Sequence, residues 1–408
     1  LLTIYLDSSD YSTLADPPLV DADKSARVLE ALRTYVAKKA IEVRYSVVHL
    51  SEMANLAPEH LGSAARRAKV LDDLSNGKCI RFPDSVFTDE IEICRDPRKG
   101  PWSKSIAYAE HNQWINSPVS KLTNIRKQLQ SDIALELKAR GYARKFRSKN
   151  IANKLVREFA RSPEGSRKID QAARDLYAEI PVKHSAELSD VLKRFALGDA
   201  TDFEVKKIIA KSAMEPADLI EFLAPKLNAT SRLSKIVRNV GADMAVTADQ
   251  QFARVREFAN LAEAVGRKEE AVQTLRKWIS DMKFSFKVKL VRAHAVDVGG
   301  DIGRWTARLS DKEISKLTLP SADIAAVVLS RKMWAITANL LAHPSSPGWT
   351  PQDGVDFMHA RFAPYVDIFR CDGGWQGPVA GAAKKFGTQV VGKIWDLCPA
   401  IEENLKTR

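Results

Sequence analysis

Four carboxylates are the residues of this sequence best placed to do chemistry: Asp7, Glu52, Asp356 and Asp372. Asp7 follows the apolar run LTIYL at 2–6. Glu52 lies six residues beyond Ser46, one turn into the helix expected after a second apolar run, IEVRYS at 41–46. Asp356 falls in the early turns of a helix expected over 351–363, and Asp372 ends the run VDIFRC at 366–371. Alone, each reads as a helix cap, a turn acid or a solvated helix acid. Four at one place repel one another unless cations neutralise them. Hard oxygen ligands suit Mg2+ or Mn2+, and the sequence lacks the paired cysteines of a zinc cage. The chemistry such a set allows is binding of a hard divalent ion that lowers the pKa of a coordinated water.

The elements that must position these acids are predicted to be α/β at both ends of the chain. Strands at 2–6, 41–46 and 78–82 alternate with helices at 23–40, 48–56 and 61–74, which implies a parallel sheet. From about 115 to 282 the periodicity is mostly helical. Phe284–Arg292 (FSFKVKLVR) alternates like a strand, and a turn is expected at Gly299-Gly300. A long helix over 321–342 leads to the 351–363 helix. Then follow a strand at 366–370, a turn at Gly373-Gly374, a helix over 375–386 and a short strand at 388–391. The organisation expected is a first α/β part (1–95), a helical basic insertion (96–318) and a second α/β part (319–408). Open parallel sheets bind ligands outside the carboxyl ends of their strands, where all four acids are expected. Asp367 opens the strand that Asp372 closes, roughly 16 Å away at about 3.3 Å per residue, so it should face the opposite end. His359, one turn from Asp356, and His49, near Glu52, are expected in structural roles. Asp10 and Asp353 are expected as cap or turn residues.

The net charge of +12 and a pI near 9.4 favour a polyanionic partner. Between Lys138 and Lys168 stand eleven Lys or Arg and only two acids, interleaved with Tyr142, Phe146 and Phe159. Phosphate neutralisation plus base stacking fits single-stranded RNA, with Arg144, Lys145, Arg147 and Lys149 as the contact candidates. The bland reading of this segment is a solvated helix face. The run at 321–342 carries Ser330, Arg331 and Lys332 at its centre, so a buried helix is expected there and no membrane partner. Four cysteines without a CxxC pair point to a reducing cytoplasm.

Taken in order, IYLDSS (4–9), YSVVHLSEM (45–53), DFMHARFA (356–363) and IFRCD (368–372) resemble the motifs of the PIN-domain (PIN-like) nuclease superfamily. The resemblance covers about 1–90 and 320–408. It implies a three-layer fold with a central parallel sheet, here interrupted by the helical insertion. It also implies an acidic tetrad of Asp7, Glu52, Asp356 and Asp372 that binds Mg2+ or Mn2+, with Ser9 and His359 in support. The activity implied is metal-dependent cleavage of phosphodiester bonds, mostly in RNA. A toxin or defence effector restrained by an antitoxin-like partner fits that activity, as does a homo-oligomer. The alternative is a nucleic-acid-binding or assembly module of the same fold without activity. Two departures stand out. Arg370 occupies a position where the family has Thr, and Asp10 replaces an apolar residue.

Overall fold

The computed structural model describes residues 1–54, 58–109, 185–197, 215–223, 232–343 and 345–408, with scattered positions between 154 and 208. The N-terminal part runs β1 (Leu2–Tyr5), α1 (Ser8–Ala15), α2 (Ala22–Ala37), β2 (Ile41–Val43), α3 (Val47–Met53), α4 (Leu61–Ser75), β3 (Cys79–Ile80), α5 (Pro83–Arg95) and β4 (Tyr108–Ala109). Two long helices follow, α6 (Arg232–Ala264) and α7 (Lys268–Val298). The C-terminal part runs α8 (Pro320–Ala342), α9 (Pro351–Ala360), β5 (Ile368–Arg370), α10 (Gly373–Ala383), β6 (Gln389–Val391) and α11 (Leu397–Lys406). The chain is mainly helical around a small parallel sheet.

The sheet order is β2-β1-β5-β6, all parallel. Leu2, Thr3 and Ile4 pair with Ile41, Glu42 and Val43, and on the other side Ile4 and Tyr5 pair with Ile368 and Phe369. Both central strands are buried along their whole length, as expected where helices cover both faces. From β1 the chain proceeds outward to β2, and from β5 it proceeds outward to β6 on the other side. The carboxyl ends of β1 and β5 therefore flank the point where the winding reverses, the usual place for a ligand.

Three short loops deliver helices to that edge, each started by a capping box. Asp7 caps α1 with Asp10 at its third position. Ser46 caps α3 with His49, and Thr350 caps α9 with Asp353, where Pro351 also fits the first helical position. α6 crosses α9 at a glycine pair. A Cβ on Gly354 would lie 2.5 Å from Gly241 Cα, so only glycines allow this approach. α6 is thereby seated beside Asp356.

Three expectations are corrected. Phe284–Arg292 is helical, inside α7: Lys287, Val288, Val291, His294 and Ala295 are buried, which is a helical spacing. Packing along α8 overrides the local alternation, and no Gly or Pro interrupts 268–298. The run at 78–82 shrinks to Cys79–Ile80 and pairs antiparallel with β4, outside the four-stranded sheet. Gly373-Gly374 forms the first turn of α10 rather than a separate turn. The break at Gly299 is as expected: it ends α7 at φ 65°. α8 is long and apolar enough to cross a membrane by length and composition, and here Ala322, Ile324, Ala325 and Val328 lie in the core.

Candidate active site

Asp7 leaves the end of β1 with its carboxylate already committed to α1. Its Oδ2 accepts Ser9 N–H at 3.1 Å and the Ser9 hydroxyl at 2.5 Å. In return Asp7 N–H donates to Asp10 Oδ2 at 2.8 Å. Burial alone would raise the Asp7 carboxyl. The charge of His359, the Ser9 hydroxyl and the Arg370 guanidinium outweigh it and hold Asp7 below its ordinary value.

Arg370, the last residue of β5, is the hub of this edge. Its Nε lies 2.7 Å from Asp10 Oδ1, an ion pair without hydrogen-bond alignment. Its Nη1 lies 2.9 Å from Asp372 Oδ1, 3.7 Å from Asp7 Oδ2 and 3.4 Å from Ser9 Oγ. Asp10 is fully buried. Burial pushes its carboxyl up to about 8 despite Arg370, and the Asp7 charge adds to the rise. Asp10 thus has the expected cap role, plus an ion pair that the sequence did not announce.

Glu52 reaches the same edge from α3. Its Oε2 accepts the Ser8 hydroxyl and sits 2.7 Å from His359 Nε2. On the other face of that ring, His359 Nδ1 lies 2.7 Å from the Tyr5 hydroxyl, which lies 2.7 Å from Ser46 Oγ. Burial opposes protonation of His359. The Glu52 hydrogen bond and the charges of Glu52, Asp7 and Asp356 prevail and raise it. His49 differs: its Nε2 donates to Leu6 O at 2.8 Å and its Nδ1 accepts Ser46 N–H at 3.0 Å. Burial first, then the His359 charge, lowers it to about 3, so it is a neutral structural group. His359 is structural too, but its partner is one of the site acids.

Asp356 Oδ1 accepts from Gln352 Nε2 at 3.2 Å. Burial and the negative charge of Asp7 push its carboxyl up to about 7, against His359 and Gln352, with Asp372 adding to the rise. Asp372 is exposed at the head of α10. Asp7, Glu52 and Asp372 line one cavity of about 580 Å³, together with the hydroxyls of Ser8, Ser9 and Ser12. Arg67 from α4, Ala242 from α6 and Pro351, Gln352 and Val355 from α9 also line it. Asp356 lies outside that lining but close enough to feel both Asp7 and Asp372.

Asp367 lies at the opposite end of the sheet, as its register predicts. It accepts Thr3 N–H at 2.8 Å and pairs with Lys104 and Arg408, each at 2.9 Å. Asp353 completes the capping box of α9 by accepting Thr350 N–H at 2.9 Å, and pairs with Lys332 at 2.8 Å. Arg144, Lys145, Arg147 and Lys149 lie outside the described residues. Sequence reasoning missed Arg67 and the wall from α6, which nothing local marks. It noted Arg370 only as a departure from Thr, although a basic residue two positions before Asp372 shares its side of the extended chain.

As folded, among the described residues, no three His, Cys, Asp or Glu groups are placed to hold a metal ion together. Each carboxylate is instead taken by an internal partner: Arg370, His359, Gln352 or a serine hydroxyl. The donor chemistry nevertheless fits a hard divalent cation, being carboxylate and hydroxyl oxygens. Carboxylates also outnumber cations at this edge: among the described residues Asp7, Asp10, Glu52, Asp356 and Asp372 face Arg370, His359 and, on the cavity wall, Arg67. No protein-family profile, no curated protein and no solved structure matches this chain.

Proposed function

We propose that the chain is a metal-dependent endonuclease with a PIN-like core, acting on phosphodiester bonds and favouring RNA. The observation that carries this reading is the meeting of Asp7 and Asp372, from adjacent parallel strand ends, with Glu52 in one cavity at the winding reversal. The five carboxylates gathered at this edge outnumber its cations, which supports a cationic cofactor, and Asp7, Glu52, Asp356 and Asp372 are the residues that would hold it. Bound Mg2+ or Mn2+ supplies Lewis acidity toward a phosphate oxygen and lowers the pKa of a coordinated water.

The chain's own groups divide the remaining work. The Ser9 hydroxyl and α1 hold Asp7 in one orientation. His359, pinned between Tyr5 and Glu52, fixes the Glu52 carboxylate at the cavity. Arg67 places positive charge on a wall otherwise rich in acids and hydroxyls, where a substrate phosphate can meet it. The net charge of +12 favours a polyanionic substrate.

Cleavage of end-labelled single-stranded RNA with Mn2+, Mg2+ or EDTA, by wild type and Asp7→Asn, tests the reading. Cutting that requires the ion and Asp7 is expected. A second reading, an inactive nucleic-acid-binding module, is favoured by Arg370, whose guanidinium already neutralises part of the acid cluster. RNA bound but uncut with either metal, across several substrates, would support that second reading.

A further inference from the structure

We propose that Tyr5 is a positioning residue of this site: its buried hydroxyl joins the two helices that carry Glu52 and Asp356 to the strand that leads to Asp7. This role rests on the nuclease reading above but not on the place of any bound ion. Tyr5 closes β1, two residues before Asp7, and is 0% exposed. Its hydroxyl lies 2.7 Å from Ser46 Oγ, the cap of α3, which carries Glu52. It also lies 2.7 Å from His359 Nδ1 on α9, one turn after Asp356. The ring stacks on Phe369 of β5, the strand that leads to Asp372, with centroids 5.3 Å apart and planes 13° from parallel. One side chain thus touches every element that brings a candidate acid to this edge.

The ring and the hydroxyl have separable tasks. Packing against Phe369, Phe362 and His49 needs only the ring, and phenylalanine would fill the same space. A buried hydroxyl is unfavourable unless it is hydrogen-bonded, so its partners explain it and the core does not. Those partners lead outward to the cavity. His359 presents Nε2 to Glu52 Oε2 at 2.7 Å, and Glu52 lines the cavity beside Ser8. With Nδ1 against Tyr5 and Nε2 against Glu52, the imidazole cannot turn without losing a hydrogen bond at each nitrogen. Tyr5 is not among the residues that line the cavity, so it acts on the acids and not on the substrate.

The test is a double-variant cycle on the full chain: wild type, Tyr5→Phe, His359→Gln and the two changes together. Cleavage of labelled single-stranded RNA with Mn2+ or Mg2+ gives kcat and KM per folded molecule, and urea unfolding is followed in EDTA. Misplacing a reacting group by about 1 Å can cost about 10²-fold, so with one link lost Tyr5→Phe should lower kcat by about 10-fold and leave KM unchanged. In the His359→Gln background the same change should lower kcat no further, because the link is already gone. In the unfolding cycle the double variant should be destabilised about five-fold less than the product of the single effects, the scale of one hydrogen bond. If His359→Gln fails to fold, by circular dichroism, Ser46→Ala takes its place and the same non-additivity is expected. An unchanged kcat in Tyr5→Phe, or equal losses in both backgrounds, overturns the positioning role and leaves the nuclease reading standing. Additive unfolding effects overturn the role without reference to activity. No cutting by wild type with either metal overturns the nuclease reading and this role with it.

Discussion

Asp367 and Asp356 stand at opposite ends of one sheet and meet opposite surroundings. Asp367 is matched with Lys104, Arg408 and the Thr3 N–H. Burial would raise its carboxyl, but these partners outweigh burial and depress it. Asp356 has one neutral hydrogen-bond partner, Gln352, and is raised to about 7 by burial and by Asp7. One end of the sheet balances its acids with cations. The other gathers more acids than it can balance. The first arrangement favours folding; under the proposed function the second is tolerated because a cation is bound there.

The sharpest way to break that contrast is Asp7→Asn. Asparagine keeps the helix cap, so stability should change little. Under the proposed function, RNA cleavage should fall by about 10³-fold, on the scale seen when a charge-stabilising group is removed from a reaction centre. Initial rates and a thermal melt measured on the same preparations check both halves. Full activity in Asp7→Asn would remove this edge as the reaction centre.

Asp356→Asn should separate function from stability. The folded carboxyl titrates near 7, above its unfolded value of about 3.9. The folded state therefore holds its proton longer, and stability falls as pH rises from about 4 to about 7. Removing the group removes that loss. Asp356→Asn should be more stable than wild type at pH 8, by about 1–3 kcal/mol after discounting for solvent screening, and less active. Stability equal at pH 8, by urea unfolding, would mean that the acid is not strained.

Asp367→Asn should do the reverse. A depressed carboxyl contributes stability that is present above its unfolded value near 3.9 and lost as pH falls through the lower folded value. The variant should lose about 1–3 kcal/mol at neutral pH, the scale of hydrogen bonds to a charged group. The loss should shrink as pH falls below the unfolded value and vanish below the lower folded one, and cleavage per folded molecule should not change. A drop in specific activity would show that the two ends are not independent.

What the sequence disclosed follows from what is local. The apolar runs of β1 and β5 are short and bounded, so their ends, and with them Asp7 and Asp372, could be read directly. Asp367 followed from the register of the same strand. FSFKVKLVR could not be read, because its local alternation is overridden by packing on α8, which is distant in sequence. The role of Arg370 was hidden for a similar reason. Its partners come from α1 and from the start of α10, and only the assembled edge brings them within 4 Å. The contribution of α6 depends on the Gly241–Gly354 crossing, a contact between segments more than a hundred residues apart.

Arg67 carries the smallest effect and the most specific one. It is the basic group on the cavity wall, and among the described residues its Nη1 makes one long hydrogen bond, 3.4 Å to Ser12 Oγ, while its buried Nε has no partner. A cation so placed meets a phosphate without first breaking a strong bond. Arg67→Gln should weaken single-stranded RNA binding by several-fold in EDTA, where nothing is cut. It should also reduce the slope of log affinity against log salt by about 0.7, the loss of one phosphate contact on a single strand. A merely structural role would lower the melting temperature and leave the slope alone. Fluorescence anisotropy across a salt series, with melts of the same samples, tells the two apart, and an unchanged slope would take Arg67 off the substrate path.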